Sequence, residues 1–180
     1  MKKVSLYFFA ILALLTVATS CKKDQHESRD NVDTPKTEIP DDYIGKWIIG
    51  NVNPAHFTDY DGTRENDMLN TIAYTLKKDG TAEQFIYIYE ENANKQTLTY
   101  RKGTITFDQA TSTLKFNPTE GRYRIFENGT KTEDAMTASG LYPAYAPQYR
   151  NCKLEQDNNA TYLVATNDYN ETVGFAKANW

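Results

Sequence analysis

The side chains able to do chemistry are few and scattered. His56, in "NPAHFTDYDG", is one of two histidines; the other, His26, lies in a polar stretch near the start. Nucleophilic catalysis needs a base beside the nucleophile and a third group to orient that base. Around His56 there is neither a nucleophile elbow nor a second histidine at zinc spacing. Asp59, Asp61 and Glu65, in "DYDGTRE", offer the hard oxygens that calcium takes on a loop, but without the EF-hand spacing, and an Asp-rich turn uses the same residues. Glu90–Glu91 and Glu133–Asp134 are neighbouring acids. A glycosidase, however, needs its two acids at a set separation across a sugar. No glycine-rich phosphate loop occurs. The residues point away from an enzyme and from a metal centre, and no cofactor is expected.

Aromatic residues are the more telling group. The chain has 13 tyrosines, and "SGLYPAYAPQY" brings Tyr142, Tyr145 and Tyr149 together in a proline-rich stretch. Tyrosine combines contact area, a polar tip and a small ordering cost, which suits recognition of a glycan or a protein. Strand tyrosines also serve as half-buried sheet faces.

The start of the chain fixes an address. Lys2 and Lys3 precede an apolar run, "VSLYFFAILALLTVA", which ends on the small residues Thr19 and Ser20 before Cys21. That order is the order of a secretory signal peptide, and the run is short for a membrane span of about 20 residues. "VATSC" resembles the lipobox of bacterial lipoproteins, with Ala18 where leucine is commonest. The resemblance implies cleavage before Cys21 and a diacylglycerol on its thiol, a membrane partner held by acyl chains. An ordinary signal peptide with an incidental cysteine is the alternative. "KKDQHESRD" after Cys21 is similar to the charged export signals of surface lipoproteins in some Gram-negative bacteria. The expected location is the outer membrane, at the cell surface or facing the periplasm.

Loss of residues 1–20 removes two lysines and no acid, taking the formal charge from −4 to −6. That balance argues against nucleic acid as a partner. With Cys21 acylated, Cys152 has no disulfide partner and is expected to be a buried thiol. Residues 22–42 are polar, charged and punctuated by proline, and read as a disordered linker. The chain thus divides into 1–20 signal, 21–42 lipidated start and linker, and 43–180 folded domain.

Within 43–180, short runs rich in Tyr, Ile, Phe, Val and Thr alternate with turn residues. Strands are predicted at 46–52, 71–76, 81–90, 97–107, 113–116, 122–127, 148–154, 161–166 and 172–178. "KKDG" is a strong hairpin signal because Gly80 can take positive φ. "NPTEG" reads as a turn, residues 130–148 read mostly as loop, and 64–70 as a possible helical turn. The class is all-β: a single antiparallel up-and-down barrel of about 8–9 strands, with a β-sandwich as the alternative. "FIYIY" is apolar at every position, so both faces of that strand must be covered, or one must line a semi-apolar cavity.

"IGKWIIG" carries Gly45, Lys46 and Trp47 as a G-x-W motif, and here the chain resembles the opening strand of the lipocalins. The long loop at 52–70 and the following Y-x-L-x-x-D-G-T hairpin are similar to small lipocalin-like lipoproteins of Gram-negative bacteria. The likeness covers most of 43–178. It implies a barrel whose base is closed by Gly45 and Trp47, with a late basic residue over the tryptophan; Arg150 and Lys177 are the candidates. It also implies a lumen that binds a small apolar or amphipathic ligand, lined by Tyr74, Phe85, Tyr87, Tyr100 and Phe107 and gated by 52–70. The alternative is a glycan- or protein-binding module using Tyr142 and Tyr145, and neither reading is enzymatic.

Overall fold

The computed structural model describes residues 34–57, 59–65, 67–141, 147–158 and 160–180, without the side chain of His56. Cys21, the signal segment, Tyr142 and Tyr145 lie outside the described residues. Nine strands follow one another: β1 (Gly45–Ile49), β2 (Thr71–Leu76), β3 (Thr81–Glu90), β4 (Lys95–Asp108), β5 (Thr113–Glu127), β6 (Thr130–Ala135), β7 (Gln148–Asp157), β8 (Ala160–Thr166) and β9 (Thr172–Ala178). Among the described residues one short α-helix, α1 (Ala138–Leu141), precedes β7, and three short 3-10 turns lie at Asp41–Tyr43, Pro54–Phe57 and Glu91–Ala93. All pairings are antiparallel and run β4-β3-β2-β1-β9-β8-β7-β5-β6, and a β4–β5 pairing closes eight of the strands into a ring. The fold is the all-β, up-and-down, barrel-like architecture that the hairpin turns predict.

The pairing is staggered. β5 meets β7 only at Leu114 and Lys115, near its start, and meets β6 from Arg122 onward. Stagger of this kind tilts the strands and lets a sheet close on itself. Directly opposed residues share a face, so the registers sort the side chains into two sets. The ring interior holds Trp47, Tyr74, Leu76, Ala82, Ile105, Leu114, Phe116, Cys152, Leu163, Ala165 and Phe175, drawn from all eight ring strands. Tyr74 stands edge-on to Phe116, Tyr149 and Phe175 at 5.7–5.9 Å between ring centroids. Such pairs add about 0.5–1.5 kcal/mol each beyond the area they bury.

Three features depart from the sequence expectations. "NPTEG" is not a turn: β4 and β5 stay paired through it, with a register shift at Lys102/Gly103 that leaves Thr119 unopposed. Pro118 is tolerated there because a bulge does not require its missing N–H. A Cβ on Gly103 would come within 2.1 Å of the Asn117 carbonyl oxygen, so only glycine allows that approach. Next, β6 lies within a stretch read as loop. Its sequence, TKTEDA, is exposed throughout and offers no apolar signal. It forms because Asn128 and Gly129, at φ 50° and 78°, make the turn that returns a right-twisted strand on itself. Residues 64–70, by contrast, hold a single turn, in which Met68 N–H donates to the Glu65 carbonyl at 3.1 Å.

The third departure is the linker boundary. Described residues well before 43 already pack on the domain. Thr37 N–H donates to the Ile105 carbonyl at 3.2 Å, and Ile39 N–H to that of Lys78 at 3.1 Å. Ile39 is 2% exposed and belongs to the ring core. Here β4 has run past the end of β3, and the strap at 35–39 supplies the missing partner. Composition hides this, since one isoleucine among charges carries no periodicity.

Trp47 belongs to the same buried cluster as Ile39. It is fully buried, and its Nε1 donates to the Tyr43 carbonyl at 2.8 Å. Lys177 is the cation over it, 5.4 Å from the ring centroid. Arg150 is occupied elsewhere, donating to the Asn167 carbonyl and to Asn170 Oδ1. Gly45 adopts φ +133°, a conformation that side chains rarely take.

Candidate ligand-binding cleft

The outer face of β2–β5 is roofed by the loop between β1 and β2. Val52, Phe57, Tyr60 and Met68 pack on Ala73, Phe85, Tyr87, Leu98 and Phe126. Three polar devices hold this roof. Thr71 Oγ1 accepts from the N–H groups of Asn51 and Val52 and donates to the Leu69 carbonyl. Gln96 accepts from the hydroxyls of Tyr60 and Tyr87 and donates to the Gly62 carbonyl at 2.8 Å. Burial pushes both phenols above their ordinary range. Gly62 lies against Phe126, whose ring a Cβ would strike. Arg124, nearly buried, donates to the Phe57 and Tyr60 carbonyls from one side and to both Glu133 oxygens from the other.

Beside the roof the same face opens into a cleft of about 320 Å³. Pro54, Ala55 and Phe57 of the loop form one wall. Thr75, Glu83, Phe85, Tyr100, Lys102 and Arg122 from β2–β5 form the floor. Trp180 forms the end, held by Lys46, which donates to its carbonyl and lies 5.3 Å from its ring. Glu83 faces Lys102 across β3–β4, and Lys102 is paired with Glu120 at 3.6 Å. Burial, then the Glu83 carboxylate, pushes the Tyr100 hydroxyl up to about 12. That hydroxyl therefore stays protonated near neutral pH and can donate. The cleft offers aromatic surface, hydroxyl donors and charges of both signs, the equipment of a site that grips an amphipathic molecule.

The residues expected to line one cavity fall on two faces. Tyr74 and Phe107 belong to the ring interior, where the space among Tyr74, Leu76, Ile105, Leu114, Phe116, Tyr149, Leu163 and Phe175 is about 20 Å³. That is room for about one water. Phe85, Tyr87 and Tyr100 face outward beneath or beside the loop. Tyr87 is fully buried by the roof, whereas Phe85 and Tyr100, with part of Tyr74, reach the cleft. The loop at 52–70 thus packs on the outside of the sheet in place of gating a shared cavity. The register causes the split: positions 74 and 107 pair into the ring, and 85, 87 and 100 have the opposite parity.

Several of the remaining chemical candidates are engaged locally. Asp61 Oδ1 accepts from Thr63 N–H, which lowers its carboxyl below the ordinary range. Glu90 is paired with Lys95 at 3.0 Å. Arg124 and Lys131 hold Glu133 down at about 2. Among the described residues no group of three metal-ligating side chains occurs. Cys152 is buried, donates to the Tyr149 carbonyl, and has its thiol pushed up to about 11 by burial.

Phe57, Glu83, Lys102, Arg122 and Trp180 were not singled out by sequence reasoning. The available signal was alternation, since Tyr100-x-Lys102 and Arg122-x-Arg124 each put one face of a strand to polar use. Without the β4–β5 register nothing said that these faces coincide. No family model, no curated protein and no solved structure matches the chain.

Proposed function

We propose that the chain is a bacterial envelope lipoprotein, anchored at the outer membrane through a lipidated Cys21, whose barrel is a binding module for a small amphipathic ligand. The observation that carries the reading is the cleft of about 320 Å³, in which aromatic walls meet Thr75, Glu83, Tyr100, Lys102 and Arg122. The seat is this outer cleft, because the interior space around Tyr74 holds little more than a water. Binding is favoured over catalysis: among the cleft's residues Glu83 is the single carboxylate, and the Tyr100 phenol keeps its proton far above neutral pH. Lys177 over the buried Trp47 supports a lipocalin-like scaffold.

Native mass spectrometry of the unit Asp33–Trp180, purified from its host and compared with the denatured sample, tests the reading. A non-covalent mass that leaves on denaturation, and is lost in Tyr100→Ala while the fold is kept, is the expected result. Retention of that mass by Tyr100→Ala would move the seat elsewhere.

A further inference from the structure

Arg122 is the cleft cation whose surroundings leave its charge unanswered. It stands on β5 directly across from Tyr100. Its Cζ lies 4.8 Å from the Phe57 ring centroid and 5.7 Å from that of Tyr100. Two rings therefore fix the position of the guanidinium. Among the described residues none of its N–H donors has a protein acceptor, and no carboxylate oxygen comes within 4.0 Å. Arg124, two residues on, shows the contrast, with both edges engaged by Glu133 and by loop carbonyls. Lys102 is answered as well, by Glu120 at 3.6 Å, and Glu83 is paired with Lys77 at 3.5 Å.

The charges that line the cleft are Glu83, Lys102 and Arg122, a net single positive charge on a chain whose formal net charge is −4. This local excess is not inherited from a generally basic surface. A guanidinium with a free planar edge is the geometry that takes a carboxylate through two parallel hydrogen bonds. One unbalanced positive charge matches a monoanion better than a phosphate dianion. Beside the neutral polar groups of Thr75, Gln84 and Tyr100, the lining has an apolar part from Ala55, Phe57, Phe85 and the Trp180 ring.

Resting on the reading of the cleft as the binding seat, we infer that its ligand is an amphipathic monocarboxylate. The carboxylate takes the free edge of Arg122. The apolar body, about the size of an aromatic ring or a short acyl chain, lies against Tyr100 and Trp180.

The test uses the full chain in detergent and three probes of one shape: phenylacetate, phenylacetamide and phenethylammonium, followed by ligand-observed NMR and by the ring signals of Tyr100 and Trp180. Phenylacetate is expected to bind roughly tenfold more tightly than the amide, the scale that separates a charged from a neutral hydrogen bond. Arg122→Gln should remove most of that difference, weakening phenylacetate far more than phenylacetamide, while Arg122→Lys keeps part of it. Arg122 is exposed, so both variants should fold. Equal binding of acid and amide, or no effect of Arg122→Gln, would overturn the carboxylate assignment and leave the cleft standing. Tighter binding of phenylphosphonate would overturn it in favour of a phosphate ligand. If no probe moves the Tyr100 or Trp180 signals, the cleft reading falls, and the assignment with it.

Discussion

Cys152 illustrates how burial decides chemistry at the scale of one residue. Its thiol, 3% exposed and pushed up to about 11, is nearly all protonated at pH 8. Thiolate is the reactive form. Iodoacetamide at pH 8 should leave Cys152 unmodified in the folded protein and label it fully in denaturant, as peptide mass mapping would record. Glu133 shows the opposite case. Its folded value, about 2, lies below that of an unfolded glutamate at about 4.3. The ion pair with Arg124 therefore stabilises the fold fully above pH 4–5. It loses that contribution as the pH falls toward 2. Glu133→Gln should be less stable than the parent at pH 7 and should converge on it by about pH 2, which thermal melts across that range would reveal. The sequence identified Glu133 only as a member of an acidic pair. Its partner is nine residues earlier across a hairpin with no apolar signal, so spacing alone could not supply it.

At the scale of elements, most strands were legible because their apolar residues alternate and their turns carry Gly, Asn and Asp. The parts that were missed share a physical cause. β6 is exposed on every residue, and the strap at 35–39 contributes a single buried side chain, so neither leaves a periodic trace. The split of Tyr74 and Phe107 from Phe85, Tyr87 and Tyr100 was likewise hidden, because parity within one strand says nothing until the register to the next is known. The strap offers the sharper test. Ile39→Ala deletes a core side chain and should cost about 2–5 kcal/mol in denaturant unfolding, a loss typical of buried isoleucine. A chain begun at residue 43, the boundary composition suggests, should be destabilised at least as much. An unchanged midpoint for Ile39→Ala would show that the strap adds nothing to the barrel.

For the molecule as a whole, the barrel-like class followed from the rhythm of strands and turns, while the placement of its concave surface did not. Aromatic-rich strands fit a hollow ring and a filled one equally well, and only the packing of Tyr74, Phe116, Tyr149 and Phe175 separates them. The anchor remains a proposal that belongs to this scale. Cys21→Ser should move the protein from the membrane to the soluble fraction, and the intact mass of the parent should exceed that of the mature polypeptide by its acyl groups; equal partitioning of the two forms would remove the lipid from the account. Arg124 has a consequence of its own. One guanidinium ties the Phe57 carbonyl, in the cleft wall, to Glu133 on the outlying hairpin. This bridge predicts a coupling between wall and hairpin, and any such coupling acts by the same free energy in both directions. Ligand affinity measured in Glu133→Gln should fall, although Glu133 does not line the cleft. In turn, amide exchange along β6 should slow when the cleft is filled. The hairpin would then act as a reporter of occupancy, readable from residues that do not line the proposed cleft.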